Sequence, residues 1–283
     1  MKGLSDHTLL MNKMVGLCKR IRGWSSTLRD LGYSVELVEP RFVNSEGKTV
    51  NPDLMFTSNR LIHTLITECK GGSIDENQLE KYTKITLDSI LPKVSVYDPR
   101  RLTFDLSYAI TEKILEEAAK KLGHHDLPIL IFSETHITKQ NSFQNKQLEN
   151  AFASPIETPG KPPTFFYPFS DQDHRAIIAM HIFQTLVALT LRKKPDEPLE
   201  IEPETILSRT HKIWEHIDES KKRILREKVN SIIREYHKKQ LKNHLEKVKG
   251  KTSWKITKSL EAFRKECQKI LEELEKQQTL KEF

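Results

Sequence analysis

The pattern of apolar and polar residues predicts a regular series of elements in the first half of the chain. Five segments alternate or are continuously apolar, which predicts strands over 33–42, 51–58, 61–70, 101–110 and 127–134. Three segments have apolar residues near helical spacing, which predicts helices over 7–31, 73–90 and 112–122. The resulting order of elements is typical of an α/β fold, a mixed sheet flanked by helices over residues 1–136.

The second half of the chain has a different pattern. Residues 137–172 are polar and contain several prolines, which predicts a long connection. Residues 173–283 have helical spacing, which predicts an all-helical, basic C-terminal part. The apolar run 176–191 contains polar residues and is shorter than the ~20 residues of a membrane span. We therefore expect a buried helix there and no membrane association.

Cysteine usage and the N-terminus indicate a compartment. The chain of 283 residues has three cysteines without paired spacing, which is typical of a reducing environment rather than of a disulfide or zinc framework. Its first residues show no charged segment followed by an apolar one, the pattern of a signal peptide. We therefore expect a cytoplasmic protein.

The net charge of +7 lies entirely in residues 201–283, and the segment 221–260 holds fourteen Lys or Arg against three Asp or Glu. Such a segment forms either a solvated helix face or a surface that binds a polyanion. For the second alternative, the candidate nucleic-acid-binding residues are Lys221, Lys222, Arg223, Arg226, Lys228, Arg234, Lys238, Lys239, Lys242, Lys247, Lys249, Lys251 and Lys255.

Charged residues interrupt two strands that otherwise suit a core. Glu68 and Lys70 are two apart and share a face of their strand, and a hairpin of the two strands would bring Asp53 beside them. Two neighbouring carboxylates repel each other unless a cation lies between them. Oxygen ligands favour Mg²⁺ or Mn²⁺, and the Cys69 backbone carbonyl could add one more. A lysine beside such a site can stabilise charge that develops on a phosphate.

The helix after this strand carries a second unusual pair. Gln78 and Tyr82 lie on the same helical face as Ile74 and Ile85, the face expected to pack on the sheet. A glutamine in that position needs a polar partner. We therefore expect Gln78 to contact the charged residues of the strand.

Together these motifs resemble the PD-(D/E)XK nuclease superfamily. Pro52-Asp53 followed by Glu68-Cys69-Lys70 resembles its signature, and Gln78 with Tyr82 resembles the Q-x-x-x-Y motif of RecB-type nucleases. The resemblance covers about the first 135 residues and implies a restriction-endonuclease-like core. It also implies hydrolysis of phosphodiester bonds with Mg²⁺ or Mn²⁺, of DNA in preference to RNA.

The resemblance implies roles for individual residues. The catalytic residues would be Asp53, Glu68, Lys70, Gln78 and Tyr82, and the metal would be held by Asp53, Glu68 and the Cys69 carbonyl. Many members add an acidic ligand from the first helix. Here that helix has acidic residues only at its ends, so the substitute is either Glu36 or Glu39, which lie on opposite faces of the first strand.

Two functional hypotheses follow. The first is a metal-dependent nuclease acting in restriction, defence, repair or mobile-element processing. Such a nuclease would act as a homodimer or together with a helicase or ATPase partner. The second is a catalytically silent nucleic-acid-binding or partner-binding protein with a degenerate nuclease fold. An apolar stripe along 260–274 suits either a partner helix or a helix of the same chain.

Overall fold

The computed structural model describes residues 4–122, 125–193 and 199–280. The chain divides into two units. The first, here called the sheet unit, contains residues 5–166 and 216–220. The second, the helical unit, consists chiefly of residues 167–215 and those from 221 onward.

A mixed seven-stranded sheet forms the centre of the sheet unit, in the order β1-β4-β5-β6-β7-β8-β9. Strands β5, β6 and β7 are parallel to one another, and the remaining neighbours are antiparallel. The strands of this sheet are β1 (Tyr33–Val38), β4 (Leu54–Ser58), β5 (His63–Lys70), β6 (Thr103–Thr111), β7 (Ile129–Phe132), β8 (His136–Gln140) and β9 (Ile156–Glu157). A separate hairpin of β2 (Phe42–Val43) and β3 (Thr49–Val50) is inserted after β1. The predicted mixed sheet flanked by helices is confirmed.

In the described part of the sheet unit, six α-helices accompany this sheet, and two of the predicted helices differ from them in their boundaries. They are α1 (Asp6–Gly16), α2 (Thr27–Asp30), α3 (Glu76–Tyr82), α4 (Leu87–Ile90), α5 (Leu115–Leu122) and α6 (Lys146–Ala151). The single helix predicted over 7–31 is wrong, because α1 ends where Gly16 packs tightly against the Trp24 ring and Gly23 has a φ of +72°. A helix needs negative φ, so no continuous helix passes through Gly23 to α2.

The helix predicted over 73–90 is also divided. It begins at Glu76 with the Asp75 side chain accepting from the Asn77 backbone N–H, and it ends at Tyr82 before a second helix starts at Leu87. Helices α3 and α5 cover one face of the sheet, where Ile66, Leu79 and Ile110 belong to one apolar core. Helix α1 contacts β5 and β6.

The segment 137–172 contains sheet as well as connection. Strand β8 pairs antiparallel with β7, and β9 pairs with β8. These strands are short and lie at the edge of the sheet, where polar side chains are tolerated and the alternating pattern is weak. The sheet unit therefore extends to residue 166, beyond the boundary at 136 that the pattern predicts.

The helical unit confirms the predicted helical C-terminal part and adds a small sheet. Its helices are α7 (Arg175–Leu191), α8 (Pro203–Thr210), α9 (Glu219–Lys238) and α10 (Leu260–Leu280). The small sheet, in the order β10-β12-β11, consists of β10 (Glu200–Ile201), β11 (Leu245–Lys247) and β12 (Trp254–Ile256). In the described part of the chain, no helix has both the length and the apolar character needed to cross a membrane.

The apolar stripe of α10 packs within this chain. Helix α10 contacts α7, and the stripe residues Leu260, Phe263, Cys267 and Leu274 are buried. Of the two alternatives for this stripe, the structure supports packing against a helix of the same chain, α7.

Candidate active site

The register of the β4–β5 hairpin brings the charged residues together. Leu54 pairs with Thr67, so Asp53 and Glu68 are the next residues toward the open end of the pair. Asp53 Oδ2 accepts a hydrogen bond from the Cys69 backbone N–H at 2.6 Å. The carbonyl of a strand residue points to the same side as its N–H, so the Cys69 carbonyl is directed toward the Asp53 side as well.

Glu68 and Lys70 form an ion pair on the opposite face of β5 from Cys69. Lys70 Nζ lies 2.8 Å from Glu68 Oε1. Glu68 is only 4% exposed, and its second carboxylate oxygen, Oε2, is buried without a hydrogen-bond partner among the described residues. A buried acceptor without a partner is costly. This oxygen is therefore the one that a ligand of the site could satisfy.

Helix α3 supplies the polar partner that its sequence predicts. Gln78 Oε1 accepts from Lys70 Nζ at 2.8 Å, and Gln78 Nε2 donates to Glu68 Oε1 at 3.1 Å. Gln78 Nε2 also donates to the Tyr82 hydroxyl at 2.7 Å, and Tyr82 in turn donates to the Asn51 carbonyl at 2.9 Å. One amide thus holds both members of the ion pair in position, and Tyr82 orients that amide.

The electrostatics of the site follow from burial and from two close carboxylates. Burial, followed by the charge of Asp53, raises the pKa of Glu68 to about 8. Burial alone would lower the pKa of Lys70, but the Glu68 carboxylate outweighs it and the pKa of Lys70 is raised. Lys70 therefore stays positively charged at neutral pH. Burial and Asp53 oppose ionisation of Glu68, Lys70 favours it, and a bound cation would favour it further.

His7 is a site residue that the sequence pattern did not indicate. Its Nε2 lies 2.9 Å from Asp53 Oδ1, and its Nδ1 is buried without a partner among the described residues. Burial opposes protonation of this imidazole, but Asp53 more than compensates, so the pKa of His7 is raised. The sequence feature that relates to this contact is Gly71, because a Cβ at that position would lie 2.3 Å from the Asp6 Cβ. Only a glycine lets the first turn of α1 approach the end of β5.

The two alternative acidic ligands differ in position. The Glu36 carboxylate accepts from the Ser95 backbone N–H at 3.1 Å, so it is engaged outside the Asp53–Glu68 cluster. Glu39 has its backbone N–H on the Asp53 carbonyl at 2.7 Å, and its charge contributes to the raised pKa of His7. Of the two, Glu39 is the one that lies near the site.

The donor set fits a cation that keeps several water ligands. Among the described residues, no group of three or more His, Cys, Asp or Glu side chains is arranged to hold a metal ion, so His7, Asp53 and Glu68 are not a preassembled three-ligand set. Two carboxylates and the Cys69 carbonyl are nevertheless oxygen donors, and one of their oxygens is unsatisfied. Mg²⁺ is commonly held by one or two carboxylates with water and phosphate as the other ligands.

The basic residues of the helical unit differ in burial and in their contacts. Lys221 and Lys222 are buried, with Lys221 paired to Asp171 and Lys222 over the Trp214 ring, so these two do not belong to an exposed basic surface. Four more are already occupied: Arg226 by Glu204, Lys239 by Glu235, Lys251 by Glu200, and Lys247 by the Trp254 ring. Of the remaining seven candidates, Lys228 is half-buried and six are exposed: Arg223, Arg234, Lys238, Lys242, Lys249 and Lys255.

The fold and the site define a mixed α/β protein with a buried carboxylate–lysine cluster at the end of a strand pair. The MJECL32 domain model matches residues 6–167, more than half of the chain, and the chain belongs to this family. A domain of unknown function, DUF8601, matches residues 170–283. The two matches meet where the sheet unit ends.

One curated relative is the "Uncharacterized protein MJECL32" of Methanocaldococcus jannaschii, 30% identical over 165 residues. The match covers 52% of this chain and 37% of the relative, so the matched part spans well under half of the relative's length. No solved structure matches the chain.

Proposed function

We propose that this protein is a divalent-metal-dependent nuclease of the PD-(D/E)XK type that hydrolyses phosphodiester bonds of nucleic acid. One observation carries the proposal. A buried, unsatisfied Glu68 oxygen lies in the same cluster as Asp53, while Lys70 is held beside it by Gln78. A structural ion pair needs neither the second carboxylate nor the amide that fixes the lysine. A cation site needs the second carboxylate, and a lysine that acts on a phosphate needs to be held in place.

In this proposal each residue has a separate task. Asp53, Glu68 and the Cys69 carbonyl would hold Mg²⁺ or Mn²⁺, which when bound polarises the phosphate and lowers the pKa of a coordinated water. Lys70, whose raised pKa keeps it charged, would stabilise negative charge developing on the phosphate. Gln78 and Tyr82 position that lysine. His7 would hold the Asp53 carboxylate in its orientation.

The substrate class is supported by the charge of the helical unit. Arg223, Arg234 and Lys238 lie at i, i+11 and i+15 on α9 and are exposed, which places them on one side of the helix. Such a side can bind a phosphate backbone without reading base sequence. DNA is favoured over RNA by the family resemblance.

The test is incubation of the purified chain with single-stranded DNA, double-stranded DNA and RNA, in Mg²⁺, Mn²⁺ or EDTA. Lys70→Met is the decisive variant, and Lys139→Met is its matched control. Lys139 is also a largely buried strand lysine paired with a glutamate, Glu149 at 2.7 Å, but on β8.

We expect cleavage that requires the metal, is abolished by Asp53→Ala, falls at least ~10²-fold in Lys70→Met and is unchanged in Lys139→Met, since loss of one preorganised charge costs about that much. Binding measured in EDTA should persist in Lys70→Met. Salt-sensitive binding with no cleavage of any substrate would favour the alternative, a catalytically silent nucleic-acid-binding protein.

A further inference from the structure

A second lysine of the sheet unit is buried without a carboxylate partner. Lys13 on α1 is 8% exposed, and among the described residues its ammonium makes no hydrogen bond or ion pair. Its neighbour is the Phe132 ring, whose centroid lies 5.6 Å from Nζ. Charged side chains are rarely buried unless they are paired. The carboxylates of Asp6 and Glu134 act on Lys13 only at longer range, and burial lowers the pKa of Lys13.

An unsatisfied hydroxyl lies on the same side of the sheet. Thr111 pairs with Phe132 in the β6–β7 register, so the two side chains point to one face. Lys13 lies over Phe132, and α1 contacts β6, which identifies this face as the one that α1 covers. Thr111 Oγ1 is buried without a hydrogen-bond partner among the described residues. The cationic Lys13 and the unused Thr111 hydroxyl therefore both neighbour Phe132 on one face of the sheet.

The position relates this pair to the carboxylate–lysine cluster. Ile110 is the register partner of Lys70, so Thr111 is one residue further along the neighbouring strand. On α1, Lys13 follows His7 by six residues, about 9 Å along the helix axis. The two positions are therefore close enough for one bound strand to reach both. Lys113, 76% exposed and 3.3 Å from Asp6 Oδ2, adds a positive charge at the rim.

We propose that Lys13 and Thr111 form a phosphate-binding subsite under α1, which holds a backbone phosphate of the nucleic acid within a few nucleotides of the bond that is cut. The ammonium donates to a phosphate oxygen, and the Thr111 hydroxyl donates to another. The bound strand gives Lys13 an anionic partner and the buried Thr111 hydroxyl a hydrogen bond. It rests on the proposed nuclease function for its substrate, while its affinity for phosphate does not depend on cleavage.

The test compares Lys13→Met with Lys139→Met, the same change at a lysine that already has its own carboxylate. Affinity for a single-stranded oligonucleotide is measured by fluorescence anisotropy in EDTA over a salt series. Loss of one phosphate contact should lower the slope of log K against log salt by about 0.7, and the affinity at 0.1 M salt about fivefold. Lys139→Met should leave both unchanged.

A second measurement uses inorganic phosphate as the probe. In protein with ¹³C-labelled lysine, the Lys13 ε-methylene resonance, assigned by its absence in Lys13→Met, should shift saturably with phosphate and less so in Thr111→Val. In a cleavage assay, Lys13→Met should raise KM at least fivefold with little change in kcat.

The proposal is overturned if Lys13→Met binds the oligonucleotide with the affinity and salt slope of Lys139→Met. It is equally overturned if the Lys13 resonance does not respond to phosphate. Metal-dependent cleavage together with either result would reject the subsite and leave the nuclease function standing. A phosphate response without cleavage of any substrate would support the subsite and reject the nuclease function.

Discussion

Glu68→Gln tests the electrostatics of the site without substrate. In the metal-free protein, burial and the neighbouring Asp53 charge raise the pKa of Glu68 from 4.5 to about 8. A carboxyl group with a raised pKa is favoured in its neutral form in the folded state. The folded protein therefore loses stability as pH rises from about 4.5, where the unfolded chain releases this proton, to about 8.

The magnitude follows from this shift. Each pKa unit corresponds to 1.36 kcal/mol, so the loss accumulated between pH 4.5 and pH 7 is on the order of 3 kcal/mol. Lys70 lowers the pKa of Glu68, and the raised pKa of about 8 already includes this effect. Glutamine keeps the shape and one acceptor oxygen but does not titrate, so the variant lacks this part of the pH dependence.

The assay is urea unfolding in EDTA at pH 5, 6, 7 and 8. We expect the unfolding free energy of the wild type to fall relative to Glu68→Gln by about 2–3 kcal/mol between pH 5 and pH 7. Glu149→Gln is the matched control: its hydrogen bond with Lys139 lowers the pKa of Glu149, so its contribution is present throughout this range and is lost only at lower pH. The unfolding free energy of Glu149→Gln should therefore differ from that of the wild type by the same amount at every pH tested.

Mg²⁺ should reverse the loss, because the ionised carboxylate is the form that binds a cation. Its stabilising effect on the wild type should therefore grow from pH 6 to pH 8 and be small in Glu68→Gln. The assignment of Glu68 as a buried carboxylate that binds a cation would be refuted by either of two results. One is an unfolding free energy with the same pH dependence in wild type and Glu68→Gln, and the other is equal stabilisation of both proteins by Mg²⁺.

Two further predictions concern the surroundings of the site. Gly71→Ala should displace the first turn of α1, because its Cβ would meet Asp6 and the His7 backbone at under 3 Å, whereas a Cβ at Gly72 has nothing within 4 Å. Cleavage activity and thermal stability should therefore fall in Gly71→Ala and be unchanged in Gly72→Ala. Replacing both Arg234 and Lys238 by glutamine should lower the salt slope of DNA binding by about 1.5. Glutamine at two carboxylate-paired lysines of α10, Lys265 and Lys269, should leave that slope unchanged, and equal slopes in all proteins would exclude α9 from the binding surface.

The central part of the candidate site could be predicted because its geometry is local. Asp53, Glu68 and Lys70 belong to one hairpin, whose alternation fixes which side chains share a face, and Gln78 lies on the next helix along the chain. Period-two patterns in strands and the apolar face of a helix are properties of short segments. The roles of Glu36 and Glu39 could not be separated in this way. The register of β1 shifts between Val35 and Leu37, and Glu36 lies within that irregularity.

The rest of the site depends on contacts between distant segments. His7 reaches Asp53 across 46 residues, and nothing in the polar pattern of α1 distinguishes it from an exposed histidine. Its placement depends on how α1 packs over the sheet, which in turn depends on the absence of a side chain at Gly71. The edge strands β8 and β9 were missed for a related reason, since they are specified by pairing to β7 rather than by their own apolar pattern.

The pattern of charge burial connects the site to its proposed subsite. In the sheet unit, the largely buried ion pair of Lys139 and Glu149 is further satisfied by backbone groups. Among the described residues, the buried Glu68 Oε2 oxygen and the buried Thr111 hydroxyl lack this completion, and Lys13 has the Phe132 ring as its neighbour. The Glu68 oxygen needs a cation, whereas Lys13 and Thr111 suit an anion. A metal-bound phosphate backbone supplies both charges at once, which is why we expect metal and nucleic acid to stabilise the fold more together than the sum of their separate effects.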